Sequence, residues 1–117
     1  MSPRFGIRIP RAQVVVLDLS GDLRGEARED LEAAYADAVA REPQTVVLNL
    51  TDVDYIDSTG IALLVGLLAR TRRDGRALSA YGLTDHYREI FAITRLSDFI
   101  HVYDDEPSAL GNVPAGT

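Results

Sequence analysis

The chain has no cysteine and no lysine among its 117 residues. Without cysteine no disulfide can form, a composition that suits a reducing compartment. All 12 basic residues are arginine, so chemistry that needs an amine is excluded. That removes a Walker-type phosphate-binding lysine, a Schiff-base enzyme, a lysine-dependent kinase fold and the lysine of a phospho-aspartate receiver. Long hydrophobic runs are missing too. The longest, Ile61 to Ala69, falls far short of the ~20 residues that span a bilayer. The opening stretch MSPRFGIRIPRAQVV holds no apolar segment of signal-peptide length, and the expectation is a cytoplasmic domain with no membrane segment. Positive charge is also scarce: a net charge of −6 disfavours capture of nucleic acid, whose affinity rests on cations placed against phosphates.

What is present reads as one domain, with a core at about residues 5–110 and a frayed tail at 111–117, because this length suits a single core. Phe5–Ile9 alternates apolar and polar ahead of Pro10, the pattern of an edge strand. Ala12–Gly21 carries the continuous run Val14-Val15-Val16-Leu17, which predicts a strand covered on both faces. Leu31, Ala34, Tyr35 and Ala38 recur at helical spacing, with acids early and Arg41 late. Thr45–Leu50 is a second buried strand, followed by a turn-like stretch from Thr51 to Gly60. The next helix should lay Ile61, Leu64, Val65 and Leu68 on the sheet and stop at Asp74-Gly75. Leu63, Leu67 and Ala69 fall off that stripe and are open to two readings, an exposed apolar patch or further core. Ala77–Tyr81 is a strand, Tyr87, Ile90, Phe91 and Thr94 mark a short helix capped by Thr84 or Asp85, Phe99–Tyr103 is a last strand, and Asp104–Leu110 a small final helix. Strand and helix alternate, which predicts an α/β domain: a mixed, mainly parallel sheet of about four to five strands packed with about four helices.

Candidate chemistry is sparse. His86 and His101 fall on different elements, with no second metal ligand at helical or hairpin spacing. Asp52/Asp54/Asp57 and Asp104/Asp105/Glu106 lack calcium-loop spacing and read as solvated turn and cap residues. Ser58 has Ile56 two residues before it, not the glycine of a hydrolase elbow. No metal, cofactor or catalytic residue is expected. Arg70, Arg72, Arg73 and Arg76 cluster at a helix end, where they offset the negative pole of the helix or form a docking patch. If Ser58 caps the helix that begins near Gly60, its hydroxyl lies among unpaired backbone N–H groups. Such a spot favours anions, although a serine or aspartate before an apolar helix is equally an ordinary cap.

VVVLDLSGDL, a helix, then VVLNLTDVDYIDSTGIALLVGLL resembles the STAS domain of bacterial anti-sigma factor antagonists. The likeness runs from about Ala12 to Leu110 and includes an Asp-Ser-Thr-Gly turn between strand and apolar helix. The resemblance implies that Ser58 is phosphorylated by a serine kinase that is also an anti-sigma factor. The unphosphorylated protein binds that partner and frees the sigma factor, the phosphorylated one releases it, and a phosphatase acting on phospho-Ser58 resets the cycle. The chain itself would catalyse nothing. Ser20, Gly21, Asp22, Asp57, Ser58, Thr59, Gly60 and Leu63 are the implied partner-binding residues, and weak homodimerisation stays open. A non-phosphorylated STAS scaffold subunit of a stressosome-like or lipid-transport complex is the alternative. One departure stands out: where many members read Gly-Glu/Asp-Leu-Asp, this chain reads Gly21-Asp22-Leu23-Arg24. The replaced acid helps the kinase engage the serine, so Arg24 bears on phosphorylation more than on partner binding.

Overall fold

Valine and leucine dominate the strand segments, and their branched side chains fit a pleated surface covered on both sides. The computed structural model describes residues 5–111; the expected tail, apart from Gly111, lies outside them. β1 (Gly6–Arg11) and β2 (Val14–Leu23) form an antiparallel hairpin. β2, β3 (Thr45–Ile56), β4 (Ala77–Tyr81) and β5 (His101–Tyr103) then run parallel, in the spatial order β1-β2-β3-β4-β5. The crossovers contain α1 (Arg28–Val39), α2 (Ser58–Arg73) and α3 (Asp85–Ile93), and α4 (Glu106–Gly111) follows β5. Among the described residues the sheet is thus mixed and mainly parallel, with five strands, and four α-helices accompany it, as expected.

One sheet face carries Val15, Leu17, Val46, Leu48 and Leu78 and packs against Leu31 and Tyr35 of α1, Leu64 and Leu67 of α2, and Phe91 of α3. On the other face Val14, Val16, Val47 and Tyr81 meet Ala109 and Leu110 of α4. The valine run is therefore covered from both sides, at about 1.5–3 kcal/mol for each large apolar side chain removed from water.

Several boundaries differ from expectation, among them the end of β2, here Leu23, and the start of α4, here Glu106. β3 continues through the supposed turn to Ile56, because β2 also runs on to Leu23 and offers a ladder: Ser20 pairs with Asp52, Gly21 with Val53, Asp22 with Tyr55 and Leu23 with Ile56. Val53 and Ile56 turn inward while Asp52, Asp54 and Tyr55 face out. At the other end of the sheet, Arg95 at φ 66° opens a 3-10 turn over Leu96–Asp98. That turn leaves Phe99 outside the last strand, which starts only at His101, although Ile100 is fully buried. In β1 the strand passes through Pro10, tolerated because β1 is an edge strand whose pairing is irregular between Arg8 and Arg11.

Candidate functional site

Parallel strands deliver their C-terminal ends to one rim, where β2 and β3 finish side by side. α2 starts there. Its N-cap is Asp57, whose Oδ1 accepts the Gly60 backbone N–H at 2.8 Å, satisfying one of the donors every helix start leaves open. The cap is therefore not Ser58, and the helix begins two residues earlier than Gly60. Ser58 is the first helical residue and is exposed, as is Thr59. Its hydroxyl has no hydrogen-bond partner among the described residues. It stands at the positive pole of a 16-residue helix, a place that tolerates added negative charge.

Gly60 explains how the helix fits so close to the sheet. A Cβ at this position would lie 2.1 Å from the Leu23 carbonyl oxygen and 2.9 Å from Ile56 Cγ2, so only glycine permits the approach. The junction is tied further by the Asp57 N–H donating to the Leu23 carbonyl at 3.2 Å. Behind it, the buried Ile56 N–H donates to Tyr87 Oη at 2.9 Å, so α3 braces the end of β3.

The β2 side of the rim is irregular. The register shifts between Gly21 and Asp22, and Gly21 takes φ 78°, the left-handed region that glycine enters without strain. Ser20, Gly21 and Asp22 are half-buried. Arg24 is exposed, donates to Asp22 Oδ2 at 3.3 Å and lies over the Tyr55 ring at 4.7 Å. Gly25 follows beside Thr59, so the β2 loop and the start of α2 form one surface. Asp57, Ser58, Thr59 and Gly60 sit there beside Leu23 and Gly25, whereas Ser20, Gly21 and Asp22 lie one to three residues earlier on β2, opposite Asp52, Val53 and Tyr55 of β3. Leu63 is different: it is only 7% exposed and belongs to the core.

The buried stripe of α2 is Gly60, Leu63, Leu64, Leu67, Leu68 and Thr71. This corrects the expected face, since Val65 is 46% exposed and Ile61 only partly buried. It also decides between the two readings of the off-stripe residues, with Leu63 and Leu67 inside and Ala69 outside. Thr71 fits the core because its hydroxyl donates to the Leu68 carbonyl at 2.8 Å. Sequence reasoning did not single out Tyr55, which its place in a supposed turn concealed.

The remaining polar residues have local work. His86 meets Tyr87 edge-on at 4.9 Å and His101 stacks near Tyr103 at 6.5 Å. Asp104 pairs with Arg88. Asp105 accepts the Ser108 N–H at 2.9 Å, and that bond lowers its carboxyl pKa. Glu106 accepts from Arg8 and from Tyr81 Oη, each at 2.6 Å. Among the described residues no group of three or more histidine, aspartate or glutamate side chains is placed to hold a metal ion. Nor is any helix long and apolar enough to cross a membrane.

Fold and rim together define a small α/β domain that presents an exposed serine at a helix start, beside a bulged strand end. The family model described as "Mlab, STAS domain" matches residues 8–102. The chain belongs to the STAS domain family. It is 38% identical over 65 residues to the anti-sigma-B factor antagonist of Listeria monocytogenes, covering 56% of this chain and 57% of that protein, so the chain spans about half the length of the curated relative it matches. The anti-sigma factor antagonist SpoIIAA, solved in its unphosphorylated form, superposes with a TM-score of 0.71 at 18% identity, over 92% of this chain and 94% of that one. The Bacillus cell fate determinant SpoIIAA in the phosphorylated form gives 0.70 at 20% identity, over 92% and 96%. At these identities the structures speak for the fold.

Proposed function

We propose that the protein is a cytoplasmic anti-sigma factor antagonist that works by partner switching. It binds a serine-kinase anti-sigma factor through the rim of Ser20, Gly21, Asp22, Asp57, Ser58, Thr59 and Gly60, with Leu63 supporting the rim from within. Binding frees a sigma factor for transcription. The kinase then phosphorylates Ser58, the complex dissociates, and a phosphatase restores the hydroxyl. The observation that carries this reading is Ser58 itself, exposed at the first position of α2 and free of internal hydrogen bonds among the described residues.

The physics of the switch follows from that position. A phosphoryl group adds about −1.5 to −2 charge, which the helix pole partly accommodates, so the fold survives modification. A partner packed over the hydroxyl must instead accept a hydrated dianion. One like-charge contact at ~4 Å and an effective dielectric near 20 costs about 4 kcal/mol, several hundredfold or more in affinity.

Incubation with ATP and the cognate kinase is expected to give a single phosphopeptide, spanning Ser58, and none from Ser58→Ala. Phosphate on another residue would overturn the assignment. Arg24 supports a second reading, in which the chain is a non-phosphorylated scaffold subunit of a stressosome-like or lipid-transport assembly. Its guanidinium, engaged with Asp22 and Tyr55, stands where related domains carry an acid that serves the kinase. On that reading the kinase leaves Ser58 unmodified.

A further inference from the structure

The outward face of α2 is apolar for most of its length, with Ala62, Val65, Gly66 and Ala69 exposed before Arg72 and Arg73. At its C-terminal half, Val65 and Ala69 border a shallow depression of about 460 Å³ whose far wall is Phe99, 52% exposed. The Arg72 guanidinium lies over that ring at 5.0 Å. Among the described residues no carboxylate is within ion-pair distance of Arg70, Arg72 or Arg73, whereas Arg8, Arg24, Arg88 and Arg95 are each paired. A half-exposed phenylalanine under an arginine that has no carboxylate partner among the described residues is the composition enriched at interface centres.

The complement is on the same molecule. α1 exposes Ala33 and Ala36 among the carboxylates of Glu29, Glu32 and Asp37, an acidic face over a low apolar ridge. α1 and α2 pack on the same side of the sheet. Two copies related by a two-fold axis, helix layers facing, therefore set the α1 of each against the α2 of the other, which closes the pair. We propose that this face binds a second copy of the chain as a weak symmetric dimer, the acidic face of α1 seated on the Val65/Phe99 patch and its arginines. The patch is small against the ~1,200 Å² that stable interfaces bury, and the net charge of −6 on each chain opposes association, so the dimer forms only at high protein concentration; low salt favours it through the arginine–carboxylate contacts across the face, which are then unscreened. Along α2 the contact runs from Val65, about 10 Å from Ser58, to Arg72, about 21 Å away at 1.5 Å per residue; Ser58 is not one of its residues, and its test is separate from that of the Ser58 switch.

Sedimentation velocity on the purified full chain tests it. In about 0.05 M salt the mean mass is expected to rise with concentration toward twice the monomer's, and in about 0.5 M salt to fall back as the charges are screened. Phe99→Ala, Arg72→Glu and Asp37→Arg should each weaken association at least tenfold while their thermal unfolding stays cooperative. An equimolar mixture of the Arg72→Glu and Asp37→Arg proteins should recover it, because the mixed pair has opposite charges at both contacts. A monomer at every concentration, association indifferent to Phe99 and Arg72, or a mixture that does not recover would each overturn the proposal and leave the patch to another protein.

Discussion

At Gly60 one methyl group decides whether α2 can start where it does. Alanine is the better helix former by about 1 kcal/mol, yet its Cβ would meet the Leu23 carbonyl, an atom of the sheet backbone that cannot step aside. The clash wins. Gly60→Ala is expected to destabilise the protein by about 1–3 kcal/mol net, read as a lower urea midpoint, and a higher midpoint would contradict the packing described here. Asp57→Ala removes the cap bond to Gly60 and should cost about 1 kcal/mol. Ser58→Ala, at an exposed hydroxyl without an internal partner among the described residues, should shift stability by less than about 0.5 kcal/mol. The three neighbours thus separate by role: two hold the turn, and the one between Asp57 and Thr59 is available to a partner.

Among the elements, those with strong periodic contrast were legible and those without it were not. β2, β4, α1 and α3 announced themselves through runs or stripes, and Thr84 caps α3 as one of the two expected candidates. α2 is apolar nearly all round, so its inner face could not be read from periodicity; glycine and threonine at its edges, Gly60 and Thr71, carry no hydrophobic signal although both are buried. The end of β3 looked like a turn because Asp52 and Asp54 occupy its outward positions, and only the unseen extension of β2 gives it a partner. Ser58 was visible as a site residue, but the division of labour with Asp57 depends on backbone angles that composition does not encode. Least legible was the clamp that holds α4. Arg8 bonds Asp18 at 2.5 and 2.8 Å and Glu106 at 2.6 Å, Asn49 donates to Asp18 at 2.8 Å, and Tyr81 Oη donates to Glu106 at 2.6 Å. The Arg8 hydrogen bonds are the main reason the Asp18 and Glu106 carboxyls sit below their ordinary range. Depressed folded values mean that their stabilisation is complete above the unfolded values near 4 and is lost as pH falls through the lower folded ones. Burial, then Glu106, raises the Tyr81 hydroxyl, so its contribution holds below about pH 10 and fades as pH rises toward the raised value. Denaturant midpoints across pH should therefore drop at both extremes, and Glu106→Gln should flatten both limbs; limbs unchanged by that substitution would remove the clamp from the account.

For the whole molecule, the net charge of −6 disfavours electrostatic capture of nucleic acid. The sheet supplies a rigid platform, and two ends of one helix face solvent with different chemistry: a hydroxyl on a positive pole at Ser58, and an aromatic–arginine patch at Phe99 and Arg72. A rigid platform lets a single covalent change act as a switch without refolding, because the modified group alters only what a partner meets. The most direct measurement is the affinity of the cognate kinase anti-sigma factor, by calorimetry, for the unmodified chain and for the chain carrying phosphoserine at position 58. The account predicts at least a hundredfold loss of affinity on phosphorylation, with Ser58→Ala retaining full binding; equal affinity of the two forms would contradict it.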